Sequence, residues 1–317
     1  MNKIYFYIKK LYNDIFNPLV YDYVKSNEDL NKYYFMKYNV DDMLAHRSQR
    51  FHFDNKGIPV IPHYVDSSSG SSMHYFPIAI GQMALAYLHK YWNDQDESAK
   101  EKFINISDWF LENQTDDGYW LAYTNVDKFR VKSPWKSAMA QSRAISVLLR
   151  AHSLTGDERY LNSAKRAFDT MLDRESDISC VLSGGRFYLE YPSIKPPKVL
   201  NGFMFSIFGI IDFAHFTGDE RAHKILNDCL YSLSNILKDY DTGKWTTYDL
   251  NHIEYGDRIR PCTVHYQFIH INQLKTLYYT TGHENLMETA IKWENYYKKK
   301  SNLISVYYNK FRGIVKL

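Results

Sequence analysis

The chain has 317 residues, 45% of them hydrophobic, with a formal charge of +3 and an isoelectric point near 8.4. That apolar share supplies a sizeable core and excludes global disorder. The mild charge, without clustered Lys and Arg, argues against a nucleic-acid partner but suits an anionic small molecule or polymer. Cys180, Cys229 and Cys262 lie far apart without CxxC spacing, against a zinc site or disulfide framework and for a reducing compartment.

The chain opens with "MNKIYFYIKKLYNDIFNPLVYDYV", which Lys, Asn and Asp interrupt too often for a signal peptide. Residues 1–72 read as a partly extended N-terminal arm. An apolar helix follows, "YFPIAIGQMALAYLHKYW", then "NDQDESAK" and an amphipathic stretch. Further on, "TGDER" occurs twice verbatim, from Thr155 and Thr217, and "TGHEN" starts at Thr281. An apolar helix precedes each copy: "KSAMAQSRAISVLLRAHSL", "VLNGFMFSIFGIIDFAHF" and "HYQFIHINQLKTLYYT". An amphipathic helix follows each, with apolar residues at three-to-four spacing, as at Leu161, Ala164, Phe168 and Met171. "VLNGFMFSIFGIIDFAHF" contains Asp212 and His215 and reads as a buried helix rather than a membrane span. With no span and no targeting segment, the expected location is cytoplasmic.

The repeated unit is an αα-hairpin with its apolar helix inside. The expected fold is mainly α: an incomplete α/α toroid of helical hairpins over residues 73–300, followed by a C-terminal tail over 301–317. Between hairpins run "TDDGYWLAY", "SGGRFYLEYP" and "YDTGKWTTYDL", which read as short β-hairpin insertions. Topology sends all three to the end where the inner helices begin, the usual place for a site in a repeat fold. That mouth receives Arg186, Tyr188, Glu190 and Tyr191 from the second insertion. The third supplies Tyr240, Asp241, Trp245, Tyr248 and Asp249. The inner helices bring Gln82, Gln141, Asn201, Tyr266 and Gln267.

This set holds phenols, cations and few carboxylates, with no nucleophile elbow, phosphate loop or metal-binding spacing. His265 and His270 do not share a helix face well, so no metal and no cofactor are expected. Glycoside hydrolysis needs two carboxylates across the bond; Glu190 with Asp249 or Asp241 would serve, but the spacing does not demand it. A carboxylate and phenols also suit proton transfer at a carbon α to a carboxylate, such as C5 of a uronic acid.

The motifs "KGIPVIPHY", "HYFPIAIGQ", "SAMAQSRAIS", "EYP…VLNGFMFSIFG", "YDTG…TYDL" and "HYQFIHINQL" occur in one order across most of the chain. Together they resemble the D-glucuronyl C5-epimerases, which convert D-glucuronate to L-iduronate within heparan-type polymers. The resemblance implies a cofactor-independent isomerase acting on a glucuronate-containing, heparosan-like polysaccharide. It implies catalytic roles for Glu190, Tyr191, Tyr248 and Tyr266. Asn201 becomes a candidate holder of a sugar carboxylate or hydroxyl, and Arg186, Arg258 and Arg260 candidates for the polymer's acids. Tyr240 with Asp241 then reads as the turn that positions Tyr248. Asn251 and Gln267 stand where the animal enzymes carry Arg and His. Family members are commonly dimers, so a homodimer is expected, with the arm as its support. The rival expectations are a uronate polysaccharide lyase, a non-catalytic glycan-binding toroid and a glycosidase.

Overall fold

Each Thr-Gly turn ends one helix and starts the next. The threonine hydroxyl bonds back into the last helical turn, Thr155 to the Ala151 carbonyl (2.7 Å) and Thr217 to that of Phe213 (2.6 Å). The glycine then takes the left-handed conformation that a side chain disfavours, with φ +71° at Gly156 and +67° at Gly218. Next, the aspartate caps the new helix, accepting the Arg159 N–H at 2.9 Å and the Arg221 N–H at 2.8 Å, and pairs with the arginine side chain. The glutamates lie in first turns, where the helix dipole favours an acid. Every letter of the repeat therefore has a structural reason. In the early copy Gln95 makes the left-handed turn and Asp96 caps the Ala99 N–H at 3.2 Å.

The computed structural model describes residues 3–16, 22–23, 25, 30–45, 51–62 and 73–315. Helices α1 (Lys3–Phe16) and α2 (Val40–Ala45) precede the repeats. The hairpins are α3 (Pro77–Asp94) with α4 (Glu97–Glu112), α5 (Ala138–Thr155) with α6 (Glu158–Asp169), and α7 (Leu200–Thr217) with α8 (Glu220–Ile236). The short α9 (Asn251–Glu254) leads to the hairpin of α10 (Val264–Thr281) with α11 (Glu284–Lys298), and α12 (Lys300–Val315) follows. Inner helices pack in the order α3–α5–α7–α10, each backed by its outer partner. Helix α7 is long and apolar enough to cross a membrane, yet residues 200–214 are all buried, as a core helix requires.

Strands β1 (His52–Phe53), β2 (Pro59–Pro62) and β3 (Met73–His74) form an antiparallel meander ahead of α3. In the second insertion β4 (Ser179–Leu182) pairs with β5 (Gly185–Tyr188). The first and third insertions are closed by single bridges, Ala122–Trp135 and Val126–Val131 in one, Asp241–Thr246 and Thr247–Pro261 in the other. The expected mainly helical, toroid-like architecture with short β pairs is what the chain adopts.

The inner side of the arc is filled by the arm. Phe35 stacks on Phe208 of α7 at 4.4 Å. The backbone N–H groups of Tyr34 and Tyr38 point at the two ring nitrogens of His89 in α3, at 3.2 and 3.0 Å. Burial holds that ring neutral, its pKa pushed down to about 3, and a neutral imidazole accepts from one of the two at a time. The arm boundary at residue 72 lies outside the described residues. The stretch from 301 on, read from sequence as a tail, is helical through residue 315. Its Leu303, Val306 and Tyr307 cover Trp245, Cys262 and Val264 in a second small core, and the Tyr307 hydroxyl bonds the Asp14 side chain of α1.

One ion pair ties arm and arc together. Arg150 of α5 meets Asp212 of α7 through two bonds of 2.6 and 2.9 Å, both side chains fully buried, and donates to the Tyr33 carbonyl at 2.8 Å. Removing one member of such a pair strands the other charge. Asp212→Ala is expected to cost about 3–5 kcal/mol in urea unfolding, and Asp157→Ala, which removes only a surface helix cap, clearly less.

Candidate active site

Glu190 leaves β5 at the mouth. The Leu189 carbonyl accepts the N–H of Ala138, the first residue of α5, at 3.0 Å, which fixes where the hairpin exits. The Glu190 side chain is 6% exposed and lies against Gly202 in the first turn of α7. A Cβ at that position would sit 2.4 Å from Oε2, so only glycine admits the carboxyl. Burial pushes its pKa up to about 7, against the Tyr191 hydroxyl, Arg143 and Lys128, which pull it down. Among the described residues its Oε2 has no hydrogen-bond partner.

The third insertion is stitched to the same place. The Tyr248 carbonyl accepts the Leu200 N–H at 3.2 Å, and the Tyr240 hydroxyl donates to the Lys198 carbonyl at 2.6 Å. Lys198 in turn pairs with Glu254 of α9 at 3.1 Å. Asp241 receives the Gly243 N–H at 2.7 Å and is held by Lys292, Trp293 and Tyr296. Tyr240 and Asp241 therefore frame the turn that presents Tyr248. Tyr266 enters from the first turn of α10, and its ring meets that of Tyr248 at 4.6 Å, tilted by 58°. Asn201 of α7 and Asn251 of α9 each bury a side-chain oxygen without a partner among the described residues, and so does Thr247.

Two cations missing from the sequence reading complete the group. Lys128 sits in a 3₁₀ turn of the first insertion, Asp127–Phe129, its ammonium 4.4 Å from the Phe129 ring and 5.3 Å from that of Tyr248. Phe129 packs on Tyr191 at 4.7 Å. Although the residue as a whole is exposed, the protein around its ammonium pushes the pKa below the usual lysine range, with Asp249 and Glu190 opposing the shift and Arg260 adding to it. Lys128 is thus near enough to act on both the Glu190 carboxyl, through charge, and the Tyr248 ring. Nothing in its sequence context distinguishes it from its neighbours Asp127, Arg130 and Lys132. Arg143 is the second: 2% exposed in α5, it donates to Gln82 of α3 at 3.2 Å. A charge among the buried positions of an inner helix, shared in α5 only with Arg150, was the available signal.

Several expected contact residues are corrected by their partners. Arg186 donates to the carbonyls of Met171, Leu172 and Asp173 at 2.8–2.9 Å, and the Tyr188 hydroxyl to that of Met171 at 2.8 Å, so both satisfy chain ends beyond α6. Gln141 accepts the Trp120 N–H at 3.1 Å and Gln267 accepts the Thr246 N–H at 3.1 Å; both are fully buried and serve as ties between insertion and helix. Trp245 is 1% exposed and donates to the Cys262 carbonyl at 3.1 Å. Only its edge reaches a cleft of about 390 Å³ shared with Lys244, Arg258 and Asn302. Arg258 and Arg260 are exposed on the adjoining loop. Gln82 is half-buried and accepts the Arg143 guanidinium bond.

A family model described as the D-glucuronyl C5-epimerase C-terminus matches residues 114–295. A D-glucuronyl C5-epimerase of Caenorhabditis elegans is 33% identical over 218 residues, 63% of this chain and 35% of that protein. An uncharacterized protein of Methanocaldococcus jannaschii is 32% identical over 180 residues, 55% of this chain and 56% of the archaeal one. The chain thus spans about a third of the worm protein's length and just over half of the archaeal protein's. Among solved structures, a GH76 α-mannanase of Bacteroides thetaiotaomicron is similar with a TM-score of 0.51 at 17% identity, covering 77% of this chain and 63% of the other. That likeness concerns the fold alone. The matched segment carries Lys128, Glu190, Asn201, Tyr248 and Tyr266, and the chain belongs to the D-glucuronyl C5-epimerase C-terminal family.

Proposed function

We propose that this protein inverts C5 of D-glucuronate to L-iduronate within a heparosan-like polysaccharide. One observation carries the reading: Lys128 acts on both a buried carboxyl whose pKa burial raises to about 7 and a tyrosine pair, with its ammonium 5.3 Å from the Tyr248 ring. Glu190 takes the C5 proton from one face, and the C–H electron pair moves into the uronate carboxylate as an enolate. Lys128 holds that carboxylate and its growing charge. A phenol of the Tyr248–Tyr266 pair returns a proton to the opposite face, which inverts the centre. Glu190 is left protonated and the tyrosine ionised, and exchange with solvent resets both. Tyr191 orients Glu190. Asn201, with its unpartnered oxygen, and Arg260 receive sugar hydroxyls and a neighbouring acid. A carboxyl that titrates near neutrality populates both proton states at working pH, which suits a reversible proton transfer.

Heavy water separates this reading from its rivals. Polymer incubated with the protein is expected to gain deuterium at C5 with unchanged chain length; unsaturated, shortened chains would instead make the protein a lyase. Glu190→Gln and Tyr266→Phe are expected to abolish exchange while polymer binding persists. Lys128→Gln is expected to lower the exchange rate about 100-fold, the usual loss for one group that stabilises developing charge.

The same carboxyl affects stability. Folded Glu190 keeps its proton to about pH 7, whereas an unfolded glutamate releases it near 4.5, so the unfolded state binds fewer protons in that window. Stability from this group therefore falls as pH rises from about 4.5 to 7. Glu190→Gln is expected to be more stable than the wild type by about 3 kcal/mol at pH 8 and equal to it below pH 4.5, read by urea unfolding at both values.

A further inference from the structure

Arg143 is a buried guanidinium without a carboxylate at ion-pair distance among the described residues. Among the described residues its Nε has no partner, and its polar neighbours, Gln82 and the Tyr38 hydroxyl, are both neutral. A charge so placed is costly unless something nearby is negative. The fold makes specific room for it. A Cβ on Gly81 would come within 2.7 Å of Arg143 Cγ, so the side chain crosses α3 only because that residue is glycine. The guanidinium then lies 4.5 Å from the Phe205 ring and 5.7 Å from that of Tyr38. Gln82, Arg143 and Phe205 are each the sixth residue of their inner helix, one layer below the mouth. Phe205 follows Gly202 by one helical turn, and Gly202 is the residue against which the Glu190 carboxyl rests.

We propose that Arg143 is a positioning residue, a fixed cation beneath Glu190 that keeps this carboxyl able to shed its proton. The inference rests on Glu190 being the base of the proposed reaction. It adds that the site needs residues outside the matched segment, because Tyr38, Gly81 and Gln82 all precede residue 114. The charged and titratable groups facing Glu190 are then Arg143 from α5, Lys128 from the first insertion and its own neighbour Tyr191, while α7 presents Gly202. Arg143 is the deep one of the two cations and Lys128 the one that borders solvent.

The test reads Glu190 itself. In protein carrying carbon-13 in its glutamate carboxyls, the Glu190 signal is identified by its loss in Glu190→Gln and titrated by NMR. Arg143→Gln is expected to raise the midpoint by about one pH unit or more, and Arg143→Lys to return most of the shift. Gly81→Ala, which displaces the arginine but leaves its charge, is expected to shift it in the same direction and serves if Arg143→Gln does not fold. The acid limb of C5 exchange should move in parallel. An unmoved midpoint in Arg143→Gln, or in Gly81→Ala where that variant stands in, overturns the proposal. Absence of C5 exchange by the wild type would instead overturn the proposed reaction, and the NMR midpoints would still decide the role of Arg143.

Discussion

The Glu190 carboxyl is taken out of water at the start of α7, and the arrangement of the mouth follows from that burial. Desolvation raises a carboxyl's pKa, and only positive charge or hydrogen bonds lower it again. Here Gly202 gives the carboxyl its space, while Lys128, Arg143 and Tyr191 supply the opposing pull. Without the glycine the side chain would be driven from its place; without the cations the group would remain protonated through neutrality. Burial and charge together set the proton affinity on which the proposed proton transfer depends.

Three connections between repeats hold this balance. Phe129 of the first insertion packs on Tyr191 of the second, and Leu200 at the head of α7 binds the carbonyl of Tyr248 in the third. Each insertion is short and has little regular structure of its own. The buried glutamines at equivalent positions of α5 and α10 supply the missing rigidity, since each accepts a backbone N–H of the insertion before it. A buried amide that satisfies a backbone group is costly to remove, because the partner is left unsatisfied.

An arc of hairpins has an inner side to cover. In this chain residues 33–38 do so, fastened through Arg150 and His89 and packed by Phe35 on Phe208. The arm is therefore part of the core, and Tyr38 brings it to within 5.7 Å of the Arg143 guanidinium. A hairpin arc of this kind also occurs in a GH76 α-mannanase. The reaction must accordingly be argued from the mouth and not from the scaffold.

Much of this was legible from the residues alone. The repeat "TGDER" encodes a back-bonded threonine, a left-handed glycine, a capping aspartate, a first-turn acid and its arginine, all local interactions that a few adjacent residues complete. Helix faces, hairpin order and the end at which the insertions gather follow from those local signals, and Glu190, Tyr248 and Tyr266 were placed at the mouth by them. Tertiary structure alone decided which polar residues there are free. Gln141, Gln267, Arg186 and Tyr188 looked available, but backbone groups distant in sequence claim them. Lys128 and Arg143 looked ordinary, but acquire their role from a carboxyl tens of residues away. A side chain's spare hydrogen bonds and its proton affinity are set by what surrounds it in space, and sequence spacing carries that information only within a helical turn or a tight loop.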